Sequence, residues 1–292
     1  MRKILFIINP AAGQGQSKEM LPIIKNMLKP YEIDYDIKVS SRKNQITEMV
    51  ITSLKENTYS DVVAIGGDGT VVETINGILG QDIKFGLIPM GTGNDLARTL
   101  NIPCDSQKAL EKIIYGKVKT IDLGSVNGTI FVNSAGVGID GAIINDTDVI
   151  KNYISGSAAY LLSTIKSIVT FKPFRVEMLM DGVKFERDAY LIAIGNGQYF
   201  GGGMKITPSA ELDSGSFQVC LVRKLSRMKF LRIFPSVYKG KHSKAPEVEM
   251  FSCKEVVIKS PDRELLVSAD GNIVTQTPAK IEIINEKLKI WT

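Results

Sequence analysis

Three short turns of small residues carry most of the chemistry that can be read from this chain. The first, Asn9-Pro10-Ala11-Ala12-Gly13-Gln14-Gly15, follows an apolar run from Lys3 to Ile8. The second, Gly66-Gly67-Asp68-Gly69-Thr70, follows Val62-Val63-Ala64-Ile65 and leads into Val71-Val72-Glu73-Thr74. The third, Pro89-Met90-Gly91-Thr92-Gly93-Asn94-Asp95, lies behind Phe85-Gly86-Leu87-Ile88. The clearest, around Asp68, reads as strand, glycine turn, helix. In open α/β sheets the crevice at the C-terminal strand ends is where nucleotides and phosphates bind. Glycine lets the main chain approach a ligand that a Cβ would obstruct. Asp68 can serve a magnesium ion or a reacting hydroxyl. A single turn of this kind is more often only a turn; three on one sheet edge form a cradle for a polyphosphate. Phosphoryl transfer also needs a group to take the acceptor's proton. Asp68 and Asp95 are available for it. Asp270, in Ser268-Ala269-Asp270-Gly271, reads from spacing alone as a plain turn residue.

Other chemistries are excluded. There is no G-x-x-x-x-G-K-[ST], so this is not a P-loop NTPase. No G-x-G-x-x-G follows the first strand, which weakens a dinucleotide dehydrogenase reading. His242 is the single histidine and sits in a Lys-rich run, so neither a Ser-His-Asp triad nor a His/Cys zinc site is credible. Three widely spaced cysteines (Cys104, Cys220, Cys253) argue against a disulfide framework and fit a reducing cytoplasm. No stretch resembles a transmembrane span.

The elements that must hold these residues follow from hydrophobic period. Strand and helix alternate up to Tyr115: strands at Lys3 to Ile8, Tyr35 to Val39, Asp61 to Ile65 and Ile83 to Ile88. Helical faces fall at Ser17 to Leu28, Ile46 to Leu54, Val71 to Leu79, Leu96 to Leu100 and Ser106 to Tyr115. That alternation predicts a doubly wound parallel sheet with helices on both faces, over 1–120. From 121 to 292 the grammar is β. Asn127-Gly128 and Asp181-Gly182 are hairpin turns, and further runs follow at Tyr190 to Ile194, Phe217 to Val222, Glu255 to Ile258 and Ile281 to Ile284. A mostly antiparallel sandwich is expected, interrupted by a helix within Gly156 to Phe171.

With 292 residues the chain is comfortable for two domains. Its net charge of +5 is unevenly placed: 223–244 holds eight Lys/Arg and no acid. Leu231, Phe234 and Val237 or Tyr238 fall at helical spacing there, which suits a basic amphipathic helix on an anionic membrane surface. A solvated face over a small core fits the same pattern. No nucleic-acid module is present, so nucleic acid is not an expected partner.

The motifs Asn-Pro-x-x-Gly, Gly-Gly-Asp-Gly-Thr and Gly-Thr-Gly-Asn-Asp, in this order, resemble the diacylglycerol kinase catalytic family, with its bacterial soluble lipid kinases and its sphingosine and ceramide kinases. The similarity continues through Phe131 to Asp140, Gly195 to Gly203 and Pro208 to Gly215, and ends at Asp270-Gly271. It implies a two-domain, NAD kinase-like fold with ATP and magnesium in an interdomain cleft and a lipid hydroxyl, diacylglycerol-like, as acceptor. Carried over, Asn9, Pro10, Ala11, Ala12 and Gly13 with Gly66, Gly67, Asp68, Gly69, Thr70 and Glu73 would hold nucleotide. Gly91, Thr92, Gly93, Asn94 and Asp95 would lie at the phosphates, and Ser40 or Ser41 beside the second strand. The segment around Gly156 to Phe171 falls where the family shapes its lipid pocket.

Two departures stand out. The family usually reads Asp-Gly-Glu at the last motif, where Glu is often assigned as proton acceptor; here it is Asp270-Gly271-Asn272. An amide accepts no proton at neutral pH, so the catalytic work falls to Asp270 or Asp68, or turnover is weak. The magnesium-supporting turn usually carries an acid where Ser214 stands, leaving Glu211, Asp213 and Ser216 as candidate ligands. The expectation is an ATP-dependent lipid kinase, cytoplasmic and peripheral to the inner membrane face, with homodimer formation open. An NAD kinase-like enzyme with a soluble acceptor and a nucleotide- or lipid-binding regulator are the alternatives.

Overall fold

The structure, a computed structural model, describes residues 2–31, 33–150 and 157–292. The chain divides into two units: 1–121 with 286–292, and 122–285.

In the first unit the strands are β1 (Lys3–Ile8), β2 (Asp34–Val39), β3 (Asp61–Gly66) and β4 (Lys84–Pro89). They pair in parallel in the order β2-β1-β3-β4. β3 is buried at every position, as a parallel strand covered on both faces must be. Its helices are α1 (Met20–Leu28), α2 (Ile46–Glu56), α3 (Asp68–Ile78), α4 (Asp95–Thr99) and α5 (Ser106–Tyr115). The crossover β1-α1-β2 runs one way along the sheet and β2-α2-β3 runs back, so right-handed connections put α1 and α2 on opposite faces. The expected helix from Ser17 begins instead at Met20, after a 3₁₀ segment Ala12–Glu19. Gly13 and Gly15 have low helix propensity, and a tighter 3₁₀ segment takes up the turn read from the sequence before the α-helix begins.

The second unit holds β5 (Val118–Val126, entering from the first), β6 (Thr129–Phe131), β7 (Ser134–Gly138), α6 (Ile139–Ile150) and α7 (Ser157–Thr170). Then come β8 (Phe174–Met180), β9 (Val183–Gly195), β10 (Phe217–Arg223), α8 (Arg227–Ile233), β11 (Val248–Cys253) and β12 (Glu255–Lys259). β13 (Leu266–Ala269), β14 (Asn272–Gln276) and β15 (Ala279–Trp291) close the chain. Among the described residues the strand order is β14-β13-β7-β9-β8-β12-β15, antiparallel throughout, with β10 and β11 branching from β9. Both hairpins read from the sequence form: Asn127-Gly128 joins β5 to β6 and Asp181-Gly182 joins β8 to β9. Positive φ at 47° and 86° in the first and 44° and 85° in the second is what an Asn/Asp-Gly hairpin turn requires. Residue 156, named at the start of the helical segment, lies outside the described residues.

The second unit's core stacks Phe131 on Phe217 at 5.5 Å between ring centres, with Val176, Met178, Ile192 and Ile258 around them. Each such side chain contributes about 1.5–3 kcal/mol by leaving water. The basic segment is not one helix. α8 ends at Ile233, and 3₁₀ turns Phe234–Lys239 and Lys241–Lys244 follow, separated by Gly240 at φ 66°. Pro235 is the cause: it lacks an N–H and its ring collides with a carbonyl one turn back.

The apolar pattern marks the last strand over Ile281 to Ile284 only. In the structure it continues to Trp291, and its end returns to the first unit, pairing Lys289 with Lys84 and Ile290 with Phe85 in parallel.

Candidate active site

The parallel order of β2, β1, β3 and β4 brings their C-terminal ends to one edge, so the turns after each are neighbours. Side chains tie them together. Asn9 Nδ2 donates to Thr70 Oγ1 at 3.0 Å, joining the first turn to the second, while Asn9 Oδ1 accepts the N–H of Ala11 at 3.0 Å. Asp68 joins the second turn to the third, its two oxygens accepting the N–H groups of Asn94 (2.8 Å) and Asp95 (2.9 Å). Asn94, left-handed at φ 51°, closes its own turn by bonding Gly91 N and Gly91 O. Gly67 and Gly91 are in backbone contact: a Cβ on Gly91 would sit 2.5 Å from Gly67 Cα. Glycine is obligatory there for the close approach.

This edge is built to meet an anion. α3 starts at Asp68 with Gly67 as its N-cap, so its first-turn N–H groups have no partner within the helix. They give the turn a partial positive charge. Asp68 is the local negative group. Burial raises its pKa, and the N–H bonds from Asp95 and Asn94 oppose that rise. Gly69 and Thr92 are exposed; Pro10, Ala12, Gly13, Gly67 and Gly93 are half-buried. Glu73 does different work: its carboxylate accepts the Ile46 N–H at 2.9 Å and caps α2. Ser40 is buried at the end of β2, its N–H on Ile8 O, and Ser41 bonds Gln45 Oε1 through both N–H and hydroxyl.

The second unit places Asp270 in the β13–β14 turn at φ 43°. Its Oδ2 accepts Val132 N at 2.7 Å; its Oδ1 accepts Asn133 N at 3.0 Å and Ser134 N at 2.9 Å. The residue is thus a clamp holding the start of β7. Asn272 is exposed and donates weakly to Asp270 O at 3.5 Å. Glu211 and Asp213 are exposed, and Ser214 Oγ bonds the carbonyls of Glu211 and Ser216, both at 3.0 Å. Those two bonds close the loop on itself through Ser214. No group of three or more His, Cys, Asp or Glu converges as a metal cage among the described residues.

Several residues of this network were not singled out from the sequence. Asp122 is buried and its Oδ2 accepts Gly215 N at 2.7 Å. Asn196 donates to Asp122 O at 2.8 Å and Val132 O at 2.7 Å. Asp140 is fully buried beside Ser268, whose hydroxyl donates to it. The signal available for Asp122 and Asp140 was an acid inside an apolar run, Ile121-Asp122-Leu123 and Ile139-Asp140-Gly141.

The second unit also has an open pocket, with about 710 Å³ of empty space when the solvent in its mouth is counted. Ile143, Ile168, Phe200, Phe230 and Phe234 are among its lining residues, and its accessible wall is apolar throughout. Cys220 and His242 also belong to its lining. Burial pushes the Cys220 thiol up to about 12 and lowers the His242 imidazole.

The profile of the diacylglycerol kinase catalytic domain matches residues 3–126, and that of the YegS C-terminal NAD kinase beta sandwich-like domain matches 133–292, more than half the chain. The chain belongs to the diacylglycerol kinase family. Curated relatives named diacylglycerol kinase include one from Staphylococcus aureus, 31% identical over 100% of this chain and 93% of the relative. Another, from Mycobacterium tuberculosis, is 29% identical over 99% of this chain and 94% of its own. A crystal structure of a diacylglycerol kinase from Bacillus anthracis superposes with a TM-score of 0.77 at 25% identity, covering 99% of this chain and 96% of that one. The α/β plus β-sandwich fold and lipid kinase activity are thereby those of the family.

Proposed function

We propose that this lipid kinase transfers the γ-phosphate of ATP to the hydroxyl of a diacylglycerol-like lipid, giving a phosphatidic acid. One observation carries the nucleotide half of that reading: three glycine turns cross-tied by Asn9 and Asp68 into one anion-accepting edge. The 1–120 region, completed by 286–292, is on this reading the nucleotide-binding domain, and the rest of 121–292 the lipid domain. Asn9 to Gly13, Gly66 to Thr70 and Gly91 to Asp95 surround the phosphates, with Ser40 and Ser41 at the flank; Glu73 supports them by fixing α2. The apolar cavity suits an acyl chain, which disfavours the soluble acceptor of an NAD kinase-like enzyme.

Magnesium arriving with the triphosphate needs only one or two carboxylates besides water and phosphate oxygens. Asp68 and Asp95 would hold it, and a cation beside Asp68 would offset the desolvation of that carboxylate. Bound there, the metal neutralises charge on the transferring phosphate. Given to the cation, Asp68 acts by charge neutralisation and not as the base, since a bound divalent ion opposes the burial that raises its pKa. Asp270 has its lone pairs committed to three N–H donors and acts by shaping the loop. Phosphoryl transfer through a loose transition state asks little of a base, so the missing carboxylate at Asn272 is compatible with turnover.

The test presents ATP, magnesium and diacylglycerol in mixed micelles and measures phosphatidic acid. Product is expected, and Asp68→Asn should lower its rate by roughly 10²–10³-fold. Tight ATP binding without any phosphorylated lipid would leave the regulator reading in place, and restored activity in Asn272→Glu would then confirm it.

A further inference from the structure

Helix α7 is packed inside out for a helix at a water surface. Its inward side carries Ser163, Thr164 and Ser167 together with Ile168, all buried. Its outward side shows Leu161, Leu162, Ile165 and Val169, with exposures of 41%, 46%, 40% and 41%. A helix facing water does the reverse. Lys166 is the one charged residue among 161–170, and it is paired with Asp146 at 2.7 Å, an acid that also accepts from Ser167 Oγ at 3.2 Å. The inward polar groups are therefore part of the packing, and the apolar stripe faces outward by construction.

What lies beside the stripe identifies its partner. α7 packs against α8, and both turn inner side chains into the same apolar cavity: Thr164 and Ile168 from α7, Phe230 and Ile233 from α8. Their outer sides consequently share one exterior. On α8 that exterior presents Arg227 and Arg232 near Met228, which is 78% exposed, while Lys229 is paired with Glu247. Exposed Lys239, Lys241 and Lys244 follow in the 3₁₀ turns, with Tyr238 exposed beside them. Apolar side chains rimmed by cations match an anionic bilayer, in which acyl chains lie beneath phosphate headgroups. A second copy of the chain fits worse, because each copy would bring its α8 cations against those of the other.

We propose that the outward face of α7 enters the headgroup–acyl boundary of an anionic bilayer while the α8 cations rest on its phosphates. The cavity then opens beneath a roof that lies on the membrane holding its substrate. The purpose of the surface rests on the lipid kinase reading above; its geometry does not.

The experiment uses the full chain and vesicles of equal parts phosphatidylglycerol and phosphatidylcholine, with pure phosphatidylcholine as comparison. Replacing Leu162 and Ile165 together by Glu removes two apolar groups and adds charge, so pelleting with the anionic vesicles should fall by about tenfold or more. Phosphorylation of a monomeric, short-chain diacylglycerol in solution should stay at the parental rate, since neither residue lines the cavity. In Leu162→Trp, indole emission should shift to the blue on vesicle addition and be quenched by acyl-brominated lipid; the native Trp291 belongs to the other unit and serves as the parental blank. Parental-level pelleting by the double Glu variant overturns the proposal, as does an introduced indole that stays unquenched in Leu162→Trp protein that pellets. So does a dimer that the double Glu variant converts to monomer, which would give the face to a second copy. Absence of turnover on the short-chain substrate would instead strike the kinase reading and leave the vesicle results standing.

Discussion

At Asp140 the carboxyl is enclosed on every side with the Ser268 hydroxyl as its donor, and burial pushes its pKa up to about 6 from an ordinary 3.8. The folded state thus holds a proton that the unfolded chain releases earlier. Its contribution is full below about pH 4 and is lost as the pH rises through 6, a slope worth on the order of 3 kcal/mol in total. Asp140→Asn should abolish that slope and leave a protein more resistant to urea than the parent at pH 7.5, with little difference near pH 4; denaturation at the two pH values checks it. Asp270 predicts the opposite sense. Asp270→Ala strands the N–H groups of Val132, Asn133 and Ser134 and should cost roughly 3 kcal/mol or more, whereas Asp270→Asn keeps an oxygen for two of them and should cost less. Comparing urea midpoints with turnover in both variants separates lost positioning from lost chemistry. Asp68 and the glycines around it were legible in the sequence because their meaning is local: small residues between a strand and a helix. Asp122 and Asn196 were not, because the groups they bind lie 93 and 74 positions away.

Among elements, the glycine turns are held at a spacing that tolerates no side chain. Gly91→Ala would drive a methyl group to 2.5 Å from Gly67 Cα, backbone that cannot rotate away. The two turns must separate, and calorimetry should show ATP affinity reduced by about tenfold or more, the usual scale when close backbone contacts to a phosphate are lost. Parental affinity in this variant would mean that the paired turns do not touch nucleotide. The alternation of the first 120 residues and the Asn-Gly and Asp-Gly hairpins were readable because period and turn chemistry are written over a few residues. The basic segment misled: charge and apolar spacing matched one helix, and the single ring of Pro235 decided otherwise. α7 was readable as a helix but not in its orientation, since only packing reveals that Ser163, Thr164 and Ser167 face inward.

For the whole molecule, the distant return of β15 could not be anticipated from an apolar run that ends at Ile284. Its end is anchored by Trp291, whose indole N–H donates to the fully buried Asp61 at 2.6 Å while Arg2 pairs with the same carboxylate at 3.1 Å and lies over the indole ring. Trp291→Phe removes one donor from a buried acid and should lower stability by about 1–3 kcal/mol, read as a drop in thermal midpoint without a change in lipid selectivity. The same return has a consequence for biosynthesis. Until Lys289 and Ile290 leave the ribosome, Lys84 and Phe85 at the start of β4 are paired to β3 on one side and lack their β15 partners on the other. The part of the polypeptide made first is completed last, and throughout elongation a nascent chain carries a hydrophobic, unpaired border of the kind that chaperones shield.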